Sequence, residues 1–204
     1  MSIWIVLLSV FTLPPPASCL RWEQERVLLI GDSLAKGLHS PVQTKVTQLG
    51  ASYLYLGEGG TNTYQWSNPK SKQGAHLAKA LETFKPTLVL ISLGTNDEAV
   101  RKPTMLAPYG PRFSVAKQRR PHVMALQRVL SQTRSIWLGP PLPDRSYYPE
   151  DRDFRDLLRQ LWGPDYFDTE VIGPQKSHDR VHVTRSGNEV WASQIVTWLT
   201  CPAY

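Results

Sequence analysis

The alternation of two hydrophobic patterns along this chain is the feature that most limits its fold. Short β-prone apolar runs alternate with longer segments whose apolar residues recur at helical spacing. This alternation is typical of β–α–β units, which build a parallel sheet with helices packed on it. We therefore predict an α/β fold with strands at residues 27–30, 53–56, 87–93, 135–138 and 166–168, and helices at residues 75–84, 122–133, 154–161 and 187–199.

Three connecting segments are predicted to be irregular. Pro41 interrupts the apolar pattern of residues 35–49, so we expect a turn or a short first helix there. Residues 102–121 and 139–150 are rich in proline and polar side chains. Both are predicted to be long surface loops, which are often functional in a compact domain.

The length and composition favour one globular domain. The chain has 204 residues, of which 41% are hydrophobic and 20% charged. It shows neither an internal repeat nor a low-complexity segment. We predict a single domain over residues 20–204.

The first residues read as a signal peptide. An apolar run at residues 3–13 is too short for a bilayer, which takes about 20 residues, and it is followed by prolines and small residues. We predict a leader over residues 1–19 and a secreted, periplasmic or extracellular protein. A buried first strand and an uncleaved anchor are the alternatives, and a cut before Cys19 would permit a lipid anchor on that residue.

Cysteine content and net charge limit the possible compartments and partners. In an oxidising compartment Cys19 and Cys201, the chain's two cysteines, could bridge the termini; if Cys19 left with the leader, Cys201 would be single. A net charge of +6 favours attraction to an anionic cell surface. No nucleic-acid motif accompanies the densest basic cluster, at residues 117–120, so we predict neither a nucleic-acid partner nor a specific protein partner.

A candidate nucleophile follows the first predicted strand. Ser33 lies in the sequence Gly-Asp-Ser-Leu directly after that apolar run, and Asp179 precedes His182 by three residues near the far end of the chain. A serine needs a histidine to take its proton, and the histidine needs a carboxylate to hold its tautomer. These residues together predict acyl transfer.

Two further polar turns follow the second and third predicted strands. They are Gly59-Gly60 and the sequence Gly-Thr-Asn-Asp, which contains Asn96. Ligands bind at the carboxyl ends of parallel strands, so these turns should meet Ser33 at one edge of the sheet. A glycine N–H and an asparagine amide would supply the donors of an oxyanion hole. Taken singly, each motif could also be a helix cap or an ordinary turn.

Taken in order, these blocks resemble those of the SGNH/GDSL hydrolases, a superfamily of serine esterases and lipases. The matching residues are Gly-Asp-Ser-Leu at 31–34, Gly60, Gly-Thr-Asn-Asp at 94–97 and Asp179-x-x-His182. The resemblance implies a three-layer α/β/α sandwich with a flavodoxin-like, five-stranded parallel sheet, and no metal or other cofactor. It also implies that Ser33 is the nucleophile, His182 the general base and Asp179 its orienting acid. The oxyanion hole would be the N–H groups of Ser33 and Gly60 with the side chain of Asn96.

Three other expectations concern a histidine pair, a tryptophan and two aspartates. His178 and His182 have the spacing of a helical metal pair, which leaves a zinc site as an alternative, although no third ligand stands at a recognisable spacing. Trp66 follows Gly60 and is predicted to line the substrate pocket. Asp32 and Asp97 are expected to hold the loops of the site in shape.

The combined prediction is an exported serine esterase that removes a small acyl group, such as acetyl, from a carbohydrate or cell-envelope glycan. The alternatives are a lipase, lysophospholipase or thioesterase acting on lipid esters, and a non-catalytic binding module that keeps the fold.

Overall fold

One parallel sheet forms the centre of the structure, a computed structural model that describes residues 19–98, 114–141 and 152–200. Its strands are β1 (Arg26–Gly31), β2 (Ser52–Gly57), β3 (Leu88–Ser92), β4 (Arg134–Leu138) and β5 (Tyr166–Phe167). All neighbours pair in parallel, in the order β2-β1-β3-β4-β5. That order is the flavodoxin-like one, so the predicted fold class is confirmed.

Helices cover both faces of the sheet. They are α1 (Ser33–Gln48), α2 (Thr63–Ser67), α3 (Lys72–Thr83), α4 (Thr95–Glu98), α5 (Val115–Val129), α6 (Arg152–Trp162), α7 (Thr169–Ile172) and α8 (Arg185–Leu199). Helices α1 and α8 pack together on one face, and α3, α5 and α6 contribute to the core on the other. The predicted three-layer sandwich is therefore confirmed.

Strand β1 explains why the chain needs both outer layers. Val27 and Leu29 point into the core shared with α1 and α8, while Leu28 and Ile30 point into the other core. All of these side chains are fully buried. A strand covered on both faces reads as a continuous apolar run rather than an alternating one, as it does here.

The expected interruption at Pro41 is wrong, because α1 runs unbroken through it. A proline inside a helix forfeits a hydrogen bond and costs roughly 3 kcal/mol. Pro41 shares one helix face with Leu38 and Val42, and all three are buried. Burying an aliphatic side chain contributes about 1.5–3 kcal/mol, so the packing of this face offsets the cost of the proline.

The predicted loop at residues 102–121 is wrong at its C-terminal end. Helix α5 begins at Val115, and the Ser114 hydroxyl caps it by accepting from the Lys117 N–H at 3.0 Å. Part of the basic cluster therefore lies on a helix. Of the second predicted loop, the described part is residues 139–141, which are buried. The remainder of both loops lies outside the described residues.

The two ends of the domain are joined. The Leu20 N–H donates to the Leu199 carbonyl at 2.7 Å, and the Trp22 indole N–H donates to the Thr200 hydroxyl at 2.8 Å. Cys19 is disulfide-bonded, and the chain's other cysteine, Cys201, lies outside the described residues. A lipid thioether would need the same Cys19 sulfur, so the alternative of a lipid anchor there does not fit.

Candidate active site

The end of β1 places Ser33 at the carboxyl edge of the sheet. A Cβ on Gly31 would overlap the Ser92 carbonyl oxygen, so a glycine is needed where β1 passes so close to β3. The Asp32 carboxylate then caps α1 by accepting from the Leu34 N–H at 2.8 Å. Ser33 is the first residue of that helix and is half-buried, with its hydroxyl at the edge where the other motifs end.

A hairpin-like loop presents the aspartate and the histidine. Lys176 and Val183 form an antiparallel bridge, and the Ser177 N–H donates to the His182 carbonyl at 2.8 Å. The turn of this loop closes with the Arg180 N–H on the Ser177 carbonyl at 3.0 Å. Asp179 lies within this turn and His182 follows its last residue by two positions, so the loop holds the two side chains side by side.

The structure brings the three predicted catalytic residues into one hydrogen-bonded series. The distance from Ser33 Oγ to His182 Nε2 is 2.9 Å, and that from His182 Nδ1 to Asp179 Oδ2 is 2.6 Å. A carboxylate at Nδ1 holds the ring proton on that nitrogen, and Nε2 is left to accept the proton of the serine. The arrangement is that of a nucleophile, a base and an orienting acid.

Asp179 is held as a carboxylate by several donors. Its Oδ1 accepts from the Ser177 hydroxyl at 2.6 Å and from the N–H groups of Val181 and His182 at 3.0 and 2.9 Å. The Ser177 bond, followed by the His182 bonds, holds the pKa of Asp179 well below its usual range. The negative charge that would stabilise an imidazolium is therefore present at neutral pH.

Asn96 reaches the same edge from α4, but its amide is already engaged. Its Nδ2 donates to the Thr61 carbonyl at 2.9 Å and to Asp32 Oδ2 at 3.2 Å. A side-chain amide has two hydrogens, so one of these bonds must open before Asn96 can donate to an oxyanion.

The glycine turn also lies beside Ser33. A Cβ on Gly59 would lie 3.8 Å from Ser33 Cβ, and Gly60 adopts a φ of +78°, which favours glycine. Within the described residues, neither the Ser33 nor the Gly60 N–H donates a backbone hydrogen bond. These two N–H groups are thus available at the edge where the oxyanion hole is predicted.

Two buried carboxylates support the loops, as expected for Asp32 and Asp97. Burial raises the pKa of Asp32 to about 7 and that of Asp97 to about 6. Asp97 accepts from the Thr63 N–H at 3.1 Å and from its hydroxyl at 2.7 Å, and it pairs with Arg119 Nε at 3.2 Å. One carboxylate thereby ties α4 to the start of α2 and to α5.

Arg155 is a supporting residue that the sequence analysis missed. It is fully buried, and its guanidinium donates to Glu98 Oε2 at 3.0 Å, to the Pro140 carbonyl at 2.6 Å and to Glu170 Oε1 at 2.8 Å. Glu98 ends the short helix that carries Asn96. Arg155 shares a helix face with Leu158 and Trp162, and this pattern is the signal that could have identified it as buried.

Trp66 does not line an open pocket. Its side chain is 2% exposed and belongs to the core, and its indole N–H donates to the Thr61 hydroxyl at 3.0 Å. The prediction that it forms a pocket wall is therefore corrected: Trp66 holds the Thr61 loop from behind. Chain order placed it near the site, but chain order does not give the direction of a side chain.

The zinc alternative gains no support from the geometry. His182 uses both ring nitrogens within the Ser33–His182–Asp179 series. In the part of the chain that the structure describes, no group of three or more His, Cys, Asp or Glu residues could hold a metal ion.

Solved structures of hydrolases are similar to this chain over most of its length. An α/β hydrolase enzyme from the metagenome of Lake Arreo, Spain, is 16% identical, with a TM-score of 0.66 over 86% of this chain and 95% of that one. A GDSL-like lipase from Bacteroides thetaiotaomicron is 16% identical, with a TM-score of 0.56 over 90% and 91%. An acetylxylan esterase from Geobacillus stearothermophilus is 16% identical, with a TM-score of 0.59 over 88% and 95%.

At these identities the likeness establishes a shared architecture. The chain has the α/β fold of the SGNH/GDSL hydrolases, and the residues that carried the resemblance meet at the edge of its sheet. No family model and no curated protein sequence matches the chain.

Proposed function

We propose that the protein is a serine esterase whose nucleophile is Ser33. The observation that carries this proposal is the 2.9 Å distance from Ser33 Oγ to His182 Nε2, with Asp179 at 2.6 Å on the other ring nitrogen. In the acetylxylan esterase, two variants described as catalytic mutants replace an aspartate and a histidine three positions apart. Asp179 and His182 have the same spacing.

The first half of the reaction acylates the serine. Ser33 Oγ attacks the ester carbonyl carbon as His182 Nε2 takes the hydroxyl proton, and Asp179 stabilises the imidazolium. The carbonyl oxygen becomes an oxyanion that accepts from the N–H groups of Ser33 and Gly60 and from the Asn96 amide. When the carbon–oxygen bond to the alcohol breaks, His182 returns its proton to the departing alcohol.

The second half restores the enzyme. A water molecule attacks the acyl-serine, and its proton passes to His182 Nε2. Collapse of the second oxyanion breaks the bond to Ser33 Oγ, which regains the proton from His182. The products are a carboxylic acid and an alcohol, and no further reactant is needed.

An acetyl or similarly small acyl group on a carbohydrate or cell-envelope glycan is the proposed substrate. His182 is exposed, so a bulky polymer can approach the nucleophile. A cavity of about 510 Å³ beside the loop of Asp179 and His182 includes Gln175, Lys176 and Ser177 in its lining, and their polar groups could bind sugar hydroxyls. The acetylxylan esterase among the similar structures acts, by its name, on an acetylated glycan.

Export is part of the same proposal. A disulfide at Cys19 suits an oxidising compartment, and an apolar leader precedes it. A leader over residues 1–19, as predicted from the sequence, would take Cys19 with it, so the proposed cleavage lies before Cys19 and keeps the disulfide. In residues 19–98, 114–141 and 152–200, no helix has both the length and the apolar character needed to cross a membrane.

Hydrolysis of p-nitrophenyl acetate tests the nucleophile. The wild type is compared with Ser33→Ala and with Ser40→Ala, which removes an exposed hydroxyl from the same helix. We expect Ser33→Ala to fall to background and Ser40→Ala to keep the wild-type rate, with equal circular dichroism for all three. Equal background rates in wild type and Ser33→Ala would favour a non-catalytic module.

Substrate class is tested by product release. Acetate released from acetylated xylan or peptidoglycan, at rates well above fatty acid released from a long-chain p-nitrophenyl ester, would support the glycan proposal. The opposite preference would support a lipase.

A further inference from the structure

The backbone of Arg180 is unusual for its residue type. Arg180 lies between Asp179 and His182 and adopts a φ of +60°, in the left-handed region that favours glycine. Arg180 is the last residue of the turn that its N–H closes on the Ser177 carbonyl, and glycine or asparagine would adopt this conformation at less cost. Backbone strain of this kind clusters at functional sites, which makes Arg180 a candidate for a functional role.

Arg180 also lines the cavity beside the catalytic loop. This cavity of about 510 Å³ is bordered by Ser177, whose hydroxyl binds Asp179, and by Lys176. Pro141, another lining residue, follows β4 at the carboxyl edge of the sheet. The cavity is therefore at the same edge as Ser33.

The charges along the cavity favour an anion. Its ionisable lining residues are Glu170, Lys176 and Arg180. The Glu170 carboxylate is paired with Arg155 at 2.8 Å and with Arg159 at 3.4 Å, which compensates its negative charge. Lys176 and Arg180 also interact within the chain, so an incoming anion would join or exchange with those contacts.

We propose that Arg180, with Lys176, makes this cavity a subsite for a carboxylate carried by the alcohol part of the ester. The inference rests on the proposed esterase function and adds the substrate class: an acylated acidic alcohol, such as an acidic sugar. An ester-linked acetyl group has no ionisable group, so the carboxylate belongs to the alcohol. A guanidinium fork matches a carboxylate in two parallel hydrogen bonds.

Paired substrates test this subsite. The anionic para-acetoxybenzoate and its neutral methyl ester share the acetyl group and differ in the carboxylate. We expect Arg180→Gly to lower kcat/KM for the anionic ester about tenfold and to leave that for the neutral ester within about twofold. Arg180→Lys, which keeps the charge, should retain much of the preference.

Lys85→Gly is the matched control. Lys85 is the other non-glycine residue in the described chain with positive φ, at +50°, and it lies before β3, at the opposite edge of the sheet. Both glycine variants relieve strain and remove a positive charge, so both should raise Tm by on the order of 2 °C. Only Arg180→Gly should change the substrate preference.

If Arg180→Gly lowers kcat/KM equally for both esters, Arg180 acts through the shape of the loop. If it lowers kcat/KM for neither ester, Arg180 has no role in substrate binding. Each result overturns the proposal. If wild type and Ser33→Ala hydrolyse neither ester, the proposed function fails separately. Binding of para-hydroxybenzoate, measured calorimetrically on Ser33→Ala and on Ser33→Ala/Arg180→Gly, then decides the subsite. Weaker binding to the double variant supports it, and equal binding overturns it.

Discussion

Asp32 and Asn96 are joined by a 3.2 Å hydrogen bond between the carboxylate of the residue before the nucleophile and the predicted oxyanion donor. The other hydrogen of the Asn96 amide is held by the Thr61 carbonyl at 2.9 Å. The turns that follow β1, β2 and β3 therefore meet at the side-chain amide of Asn96. This bond also links the buried carboxyl group of Asp32 to the edge of the sheet that carries Ser33.

Asp32→Asn should flatten the pH dependence of stability. Burial raises the pKa of Asp32 from 3.8 to about 7, so between these pH values the folded chain holds a proton that the unfolded chain releases. The stability due to this group is full below about pH 4 and is lost as the pH rises to about 7, at roughly 1.4 kcal/mol per unit of pKa difference. Urea unfolding across this range measures the slope.

A control with an exposed carboxylate isolates the effect of burial. Glu82 is an exposed residue of α3, and Glu82→Gln should keep the wild-type slope. Asp97 and Glu98 also have pKa values raised by burial and remain in both variants, so the wild-type slope is reduced rather than abolished in Asp32→Asn. A slope unchanged by Asp32→Asn would contradict the prediction.

Asn96→Ala should lower kcat on p-nitrophenyl acetate by about 10²–10³, with KM little changed. An oxyanion donor acts on charge that develops in the transition state, so its loss affects kcat more than ground-state binding. Asn62→Ala is a useful comparison, because Asn62 caps α2 without reaching Ser33 in any described bond. A loss below about threefold in Asn96→Ala would mean that its amide stays with Thr61 and Asp32 during catalysis.

Cys19→Ser should lower the free energy of unfolding by about 2–4 kcal/mol, since the disulfide restrains the unfolded chain. Reduction of the wild type should have the same effect and add nothing to the variant. Thermal unfolding with and without a reductant measures both. Because Leu20 and Trp22 also bind the end of α8, the termini should still dock in the variant. Unchanged Tm on reduction would contradict this account.

The fold and the hydrogen-bonded Ser33–His182–Asp179 series could be predicted because their signals are local. Each strand is a short apolar run, and each polar motif directly follows a strand, so the carboxyl-edge rule brings Ser33 and Asn96 together without knowledge of tertiary contacts. The spacing of Asp179 and His182 likewise fits one short turn. These local patterns are sufficient because the parallel sheet brings the ends of its strands to one edge.

Features that depend on tertiary packing could not be predicted in the same way. Pro41 stays inside a helix because its face is buried, and the start of α5 falls in a segment whose composition suggested a loop. Trp66 turns into the core although it follows the glycine turn. In each case burial outweighs a local preference, and burial depends on which surfaces the rest of the chain supplies.

Arg155→Met should destabilise the protein by about 3 kcal/mol or more, because it leaves Glu98 and the Pro140 carbonyl buried without their donor. A double-mutant cycle with Glu98→Gln separates this penalty from lost packing. The double variant should be more stable than the sum of the single losses implies, because removing both charges leaves neither unpaired. Urea unfolding of the four proteins gives the coupling energy. Additive losses would show that Arg155 acts through its other partners, Pro140 and Glu170, and not through Glu98.

Arg159→Met, which removes a half-exposed arginine from the same helix, should lower the free energy of unfolding less than Arg155→Met does.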